Sequence, residues 1–79
     1  MNTEQIRAIL AEHGRLTTPV EDLEDTSDLY HSGLTSLATV GLMLALEDEF
    51  DIEFPDSALS RKTFTSIESI AEVIEELVE

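Results

Sequence analysis

The sequence predicts an all-α fold of three main helices and one short helix, with a long first loop. Three observations lead there. Residues 2–13 and 65–78 repeat apolar side chains at helical spacing. Residues 33–50 open on a glycine and a hydroxyl pair and then run apolar on more than one face. The chain is 79 residues long with no cysteine, 3 glycines and 2 prolines. That length allows one domain spanning 1–79, with a small core and no disulfide to staple it, which favours locally packed helices.

The first helix is expected over Asn2 to His13. Asn2 or Thr3 can cap it, Glu4 sits in its first turn, and Gly14 is placed to close it at C′. Ile6, Ile9, Leu10 and His13 share one face, while Glu4 and Glu12 face water. Arg15 to Ser32 then forms a long connection that Pro19 keeps from becoming helical. It is acidic at Glu21, Asp22, Glu24, Asp25 and Asp28, and Leu16, Val20, Leu23, Leu29 and Tyr30 are spaced to pin it to the core. A helical turn is expected at Asp28–Tyr30.

The second helix is expected from about Thr35 to Phe50 or Asp51, with Thr35 as N-cap and Gly33 allowing a tight turn before it. It carries two stripes. Thr39, Leu42, Met43, Leu46 and Phe50 suit the core. Leu37, Val40 and Leu44, interleaved with Ala38 and Gly41 and followed by Glu47 and Asp48, form a second stripe that is either extra core or a docking face. Beyond the turn at Ile52–Pro55, Asp56 is positioned to cap a short third helix over Ser57 to Arg61, with Arg61 and Lys62 at its C-terminal end. Leu46, Phe54, Ala58 and Leu59 lie where a cavity between the second and third helices would open, and close packing favours a closed core. The last helix opens on a capping box, Thr65-Ser66-Ile67-Glu68, and puts Ile67, Ile70, Ala71, Ile74, Leu77 and Val78 on one face.

The formal net charge is −14, from 4 Lys and Arg against 18 Asp and Glu. Such a chain is repelled by nucleic acid and by anionic membrane surfaces, and is steered toward basic protein partners. Met1 to Leu10 lacks the apolar core of a secretory signal, which points to the cytoplasm. No apolar run is long enough for membrane insertion, and a monomer is expected. No enzyme site is expected. His13 and His31 are the only histidines, and the five-residue separation of His31 from Ser36 across a glycine turn does not place imidazole on hydroxyl. The acidic cluster Glu47–Asp56 lacks the sixth-position glycine of a calcium loop, so no dedicated metal site is expected.

Ser36 is the residue singled out. A serine at a helix start is ordinarily capping chemistry. Here the helix N-terminus supplies unpaired N–H groups and partial positive charge, one of the few places where a chain this acidic accommodates a phosphate.

Gly33-Leu34-Thr35-Ser36-Leu37, the following Val40, Leu42, Ala45, Leu46, Glu47, Glu49 and Phe50, and the later Pro55-Asp56 and capped last helix together resemble the acyl carrier proteins and the related peptidyl and aminoacyl carriers. The resemblance covers essentially the whole chain. It implies an acyl-carrier-like bundle in which Ser36 holds 4′-phosphopantetheine, added by a phosphopantetheinyl transferase. That arm supplies the thiol a cysteine-free chain lacks. Acyl or aminoacyl cargo would be held as a thioester, loaded by a ligase and passed to an acceptor enzyme, with Leu37, Val40, Leu44, Glu47 and Asp48 meeting those partners. Fatty acid synthesis carriers commonly have carboxylates where this chain has Thr35, Ala38 and Gly41, so the resemblance implies a specialised carrier with a more apolar docking face. Gly33–Ser36 with Phe54-Pro55-Asp56 and Arg61-Lys62-Thr63-Phe64 is similar to the stand-alone aminoacyl carriers. The competing reading is an unmodified acidic interaction module that binds a partner through Leu37, Val40 and Leu44.

Self-repulsion should make stability depend on ionic strength. If moderate salt screens about 1 kcal/mol of repulsion, Tm rises by roughly 4–8 °C. A thermal melt that shows Tm falling with added salt or divalent cation would contradict this.

Overall fold

The computed structural model describes residues 2–78. Three helices form, α1 (Thr3–His13), α2 (Ser36–Phe50) and α3 (Ile67–Val78). Among the described residues there is no strand. α1 packs against both α2 and α3.

Each helix buries the face its spacing marks. Ile6, Ile9 and Leu10 go inward from α1, Leu42 and Leu46 from α2, and Ile67, Ile70, Ala71 and Ile74 from α3. Removing a branched aliphatic side chain from water contributes about 1.5–3 kcal/mol, so this shared apolar centre is the main source of stability. At the edges two expectations fail. His13 is exposed although it follows the apolar spacing of α1, and Val78, in the last turn of α3, is half exposed. Both sit at helix ends, where packing is incomplete.

The cap of α1 departs from expectation. Asn2 occupies the N-cap position without a side-chain hydrogen bond. Gly14 stays right-handed at φ −75°, and Arg15 takes the left-handed conformation at φ 51°. Gly14 is needed for space instead. A Cβ there would lie 2.8 Å from the Leu10 carbonyl oxygen and 3.1 Å from Leu10 Cδ2.

The long first loop is held at many points. Leu23 and Leu29 are buried, and Leu16, Val20 and Tyr30 pack half-buried against the core. Val20–Asp22 forms a 3-10 turn that the residue pattern did not announce. Arg7 reaches across from α1, donating to the Val20 carbonyl at 3.0 Å and to Asp25 Oδ1 at 2.8 Å. Two backbone bonds tie the loop to the start of α3: Leu29 N–H donates to the Thr65 carbonyl at 2.7 Å, and Glu68 N–H to the Asp25 carbonyl at 2.9 Å. The expected turn at Asp28–Tyr30 is present and continues to Gly33, with Ser32 N–H donating to the Asp28 carbonyl at 3.1 Å. Asp28 Oδ1 accepts from the backbone N–H groups of Tyr30 and His31.

The short third helix is reduced to a single 3-10 turn, Asp56–Ala58, with Pro55 at the N-cap position and no side-chain cap from Asp56. Leu59 leaves helical geometry at φ −86°, ψ 66°. Residues 60–66 continue as turns and bends, with Thr63 N–H donating to the Ser60 carbonyl at 3.2 Å. Arg61 therefore has no helix end to complement. Its guanidinium lies over the Tyr30 ring at 4.1 Å, a cation–π contact. The capping box of α3 is shifted by one residue. Ser66 is the cap, its Oγ accepting from Ser69 N–H at 3.1 Å, while Thr65 Oγ1 donates to the Arg61 carbonyl at 2.8 Å. Leu46 and Phe54 are buried in the closed core, and Phe54 meets Phe64 with ring centroids 5.7 Å apart.

Two glycines give opposite expectations. Gly33 has φ +113°, and a Cβ there would lie 2.6 Å from the Thr17 backbone nitrogen, whereas a Cβ at Gly41 meets nothing within 4 Å. Gly33→Ala should destabilise by about 1–3 kcal/mol. Gly41→Ala should stabilise by up to about 1 kcal/mol, since glycine is a poor helix former. Urea unfolding midpoints check both, and shifts of the same sign would contradict the pair.

Candidate functional site

The loop delivers the chain to α2 through the Ser32–Gly33 turn. The Ser32 carbonyl accepts from Thr17 N–H at 2.9 Å, Thr17 Oγ1 at 2.9 Å and Thr18 N–H at 3.3 Å. Gly33 turns with positive φ, Leu34 buries, and Thr35 comes out extended at φ −104°, ψ 163°. Thr35 is the N-cap, as its position suggested. Its Oγ1 accepts from Ala38 N–H at 3.1 Å, and its carbonyl accepts from Thr39 N–H at 2.9 Å and Thr39 Oγ1 at 2.8 Å.

Ser36 is therefore the first residue of the helix and is exposed. With Thr35 satisfying Ala38, the N–H groups of Ser36 and Leu37 remain without an intrahelical acceptor. No carboxylate stands in the first turn of α2. An anion attached to Ser36 Oγ would thus meet unpaired donors and the positive end of the helix dipole, with no first-turn carboxylate to oppose it. An exposed hydroxyl there fits a phosphodiester-linked group. When bound, such a pantetheine arm supplies the thiol on which cargo is held. Neither histidine is placed as a base. His13 and His31 are exposed, and His13 Nε2 faces Glu12 Oε2 at 3.7 Å.

The second stripe of α2 lies outside the core. Leu37 is 85% exposed, Val40 52% and Leu44 55%. Asp48 is exposed beyond them. Glu47 is used differently. It is half-buried, and its Oε2 accepts from Phe54 N–H at 2.8 Å, while its carbonyl accepts from Ile52 N–H at 3.1 Å after Asp51 turns left-handed at φ 53°. This residue closes the C-terminal end of α2 and holds the next loop.

Packing of α1 on α2 adds residues that no local pattern connects to Ser36. Glu12 and His13 at the end of α1, and Arg15 just after it, line a hollow of about 420 Å³ with Thr35 and Leu37. Some twenty positions separate the two groups in sequence, so neither periodicity nor motif spacing could join them.

Comparison with known proteins agrees with this geometry. The family defined by the phosphopantetheine attachment site matches residues 4–74. An aminoacyl carrier protein of Agrobacterium fabrum (strain C58) is 54% identical over 69 residues, spanning 87% of this chain and 83% of that protein. The carrier protein from Agrobacterium tumefaciens, seen in a crystal structure with an engineered Bradyrhizobium japonicum glycine:[carrier protein] ligase and ATP, superposes with a TM-score of 0.93 at 48% identity, covering 98% of this chain and 100% of that one. The holo acyl carrier protein of Nitrosomonas europaea gives 0.84 at 31% identity, covering 96% and 94%. Among the described residues no helix is long and apolar enough to cross a membrane. With an exposed serine at the start of α2 and a family match over nearly its whole length, the chain belongs to the phosphopantetheine-binding carrier proteins, as a specialised carrier that presents cargo to partner enzymes.

Proposed function

We propose that Ser36 carries the 4′-phosphopantetheine arm and that the cargo is an aminoacyl group. The observation that supports the attachment point is the exposed Ser36 hydroxyl at the first position of α2, beside unpaired N–H groups and away from any first-turn carboxylate. The aminoacyl cargo rests on the similarity to the Agrobacterium carriers, one of them bound to a glycine:[carrier protein] ligase. In this reading a phosphopantetheinyl transferase installs the arm and an ATP-dependent ligase charges it. An acceptor enzyme then takes the aminoacyl group. The chain performs no chemistry of its own, and works in the cytoplasm as a single-domain monomer.

Leu37, Val40 and Leu44 form the surface the partners read, with Asp48 at its far end. Their exposure supports this, since three large apolar side chains in one stripe of the helix are left outside the core. Glu47 contributes indirectly, by fixing the end of the helix.

Incubation with coenzyme A and a broad-specificity transferase should add one phosphopantetheine to the wild type and none to Ser36→Ala, read by intact mass. Failure to modify the wild type, under conditions that modify a control carrier, would leave the unmodified interaction module as the reading. For the docking surface, Leu37→Ala and Leu44→Ala should each lower kcat/KM for loading by a cognate ligase about tenfold, or 1.4 kcal/mol. Tm should stay within a degree or two, because both side chains are outside the core. Unchanged loading in both variants would remove this stripe from the interface.

A further inference from the structure

We infer that the seam between α1 and α2 is a resting groove for the arm on Ser36. Arg15 meets the phosphate end, and the carboxylates of Asp48 and Glu49 receive the ammonium group of an aminoacyl cargo. This rests on Ser36 as the attachment point. Two hollows of about 420 Å³ and 440 Å³ lie along the seam, and they share Glu12, His13 and Gly41. The first is lined by Thr35 and Leu37, the two residues that flank Ser36, so a group tethered to Ser36 starts at its mouth. The second runs on past Leu44 and Ala45 to Asp48 and Glu49.

Gly41 marks where the two hollows join. A Cβ there would touch nothing within 4 Å, so the packing of the chain itself does not require a glycine. In mid-helix a glycine costs about 1 kcal/mol relative to alanine. Its effect is to leave the floor of the groove open at the midpoint of the seam. On the opposite side of α2, Leu42 and Leu46 are fully buried and Phe54 packs against the Phe64 ring.

The charges at the two ends match a charged arm. The chain has 4 basic residues. Arg7 is paired with Asp25, Arg61 is stacked on Tyr30 and Lys62 lines a separate hollow with Glu72 of α3, while Arg15 stands at the Ser36 end of the groove. The far end is acidic. A phosphate-to-sulfur chain of two amide units is about as long as four extended residues, ~15 Å. Ten residues of α2 rise about 15 Å from Ser36. The sulfur end therefore reaches the level of Ala45 to Asp48, where an aminoacyl thioester would place its ammonium group among carboxylates. Leu37 and Leu44 border both this groove and the exposed stripe, so a docking partner that covers them displaces the arm toward its own active site.

The test compares amide chemical shifts of ¹⁵N-labelled apo and purified holo protein. Beyond residues 35–37, the expected changes fall on Glu12, Arg15, Gly41 and Ala45. In holo Gly41→Leu, where a good helix former fills the floor, the changes at Glu12 and Ala45 should be lost, and Arg15→Gln should diminish them. Loading with glycyl should move Asp48 and Glu49, and loading with the uncharged isostere propionyl should not. Changes confined to residues 35–37, or falling instead on Leu59–Thr63, would overturn the groove while leaving Ser36 as the attachment point. Equal effects of glycyl and propionyl would overturn the role of the carboxylates. A wild type that gains no arm in the mass measurement would overturn the attachment itself, and the groove with it.

Discussion

At the junction of the first loop and α2, one carbonyl oxygen, that of Ser32, accepts hydrogen bonds from Thr17 N–H, Thr17 Oγ1 and Thr18 N–H. This fixes the two ends of the loop against each other. The approach is close enough that Gly33 cannot carry a side chain, because a Cβ would fall within 3 Å of the Thr17 nitrogen and Oγ1. From that turn follow the burial of Leu34, the extended Thr35 that caps α2, and the outward placement of Ser36. The position of Ser36 is thus set by a tertiary contact more than by helix propensity. α2 begins where the loop lets it begin.

The acidic charge is unevenly distributed over the molecule. The acidic residues crowd the loop, the end of α2 and the outer face of α3, while the first turn of α2 has none. Burying charged groups at an interface carries a desolvation cost, whereas exposed leucine and valine gain on being covered. On the proposed reading, a partner would be held by apolar contact near Ser36 and steered by the surrounding negative field from further away. This division suits a carrier that must bind several enzymes in turn and leave each of them.

Much of this was legible in the residues. The helical periodicities of α1 and α3, the Thr35 cap and the two faces of α2 come from short-range physics, and local sequence encodes it directly. What was not legible depends on distant partners. The Ser57–Arg61 segment has helix-compatible residues, yet Leu59 leaves helical geometry and Arg61 is drawn to Tyr30, thirty-one positions away. The α3 cap moved from Thr65 to Ser66 while the Thr65 carbonyl accepts from Leu29 N–H, a bond to the loop that no capping motif foresees. Glu47 looked like a surface carboxylate until the next loop folded back and put Phe54 N–H against it. For the site, Ser36 was visible as a position and its environment was not. Arg15 and Glu12 reach it only through the packing of α1 on α2.

The Arg61–Tyr30 stack has a practical consequence. The chain has 1 tyrosine and no tryptophan, so emission excited beyond the absorption of its 3 phenylalanines comes from one ring. That ring belongs to the first loop and is covered by a guanidinium from the segment that precedes α3. Tyr30 fluorescence is therefore a built-in optical gauge of one junction, between the loop that positions Ser36 and the connection leading into the last helix. Detachment of the two would register in that signal even while all three helices stay wound and far-ultraviolet dichroism stays flat.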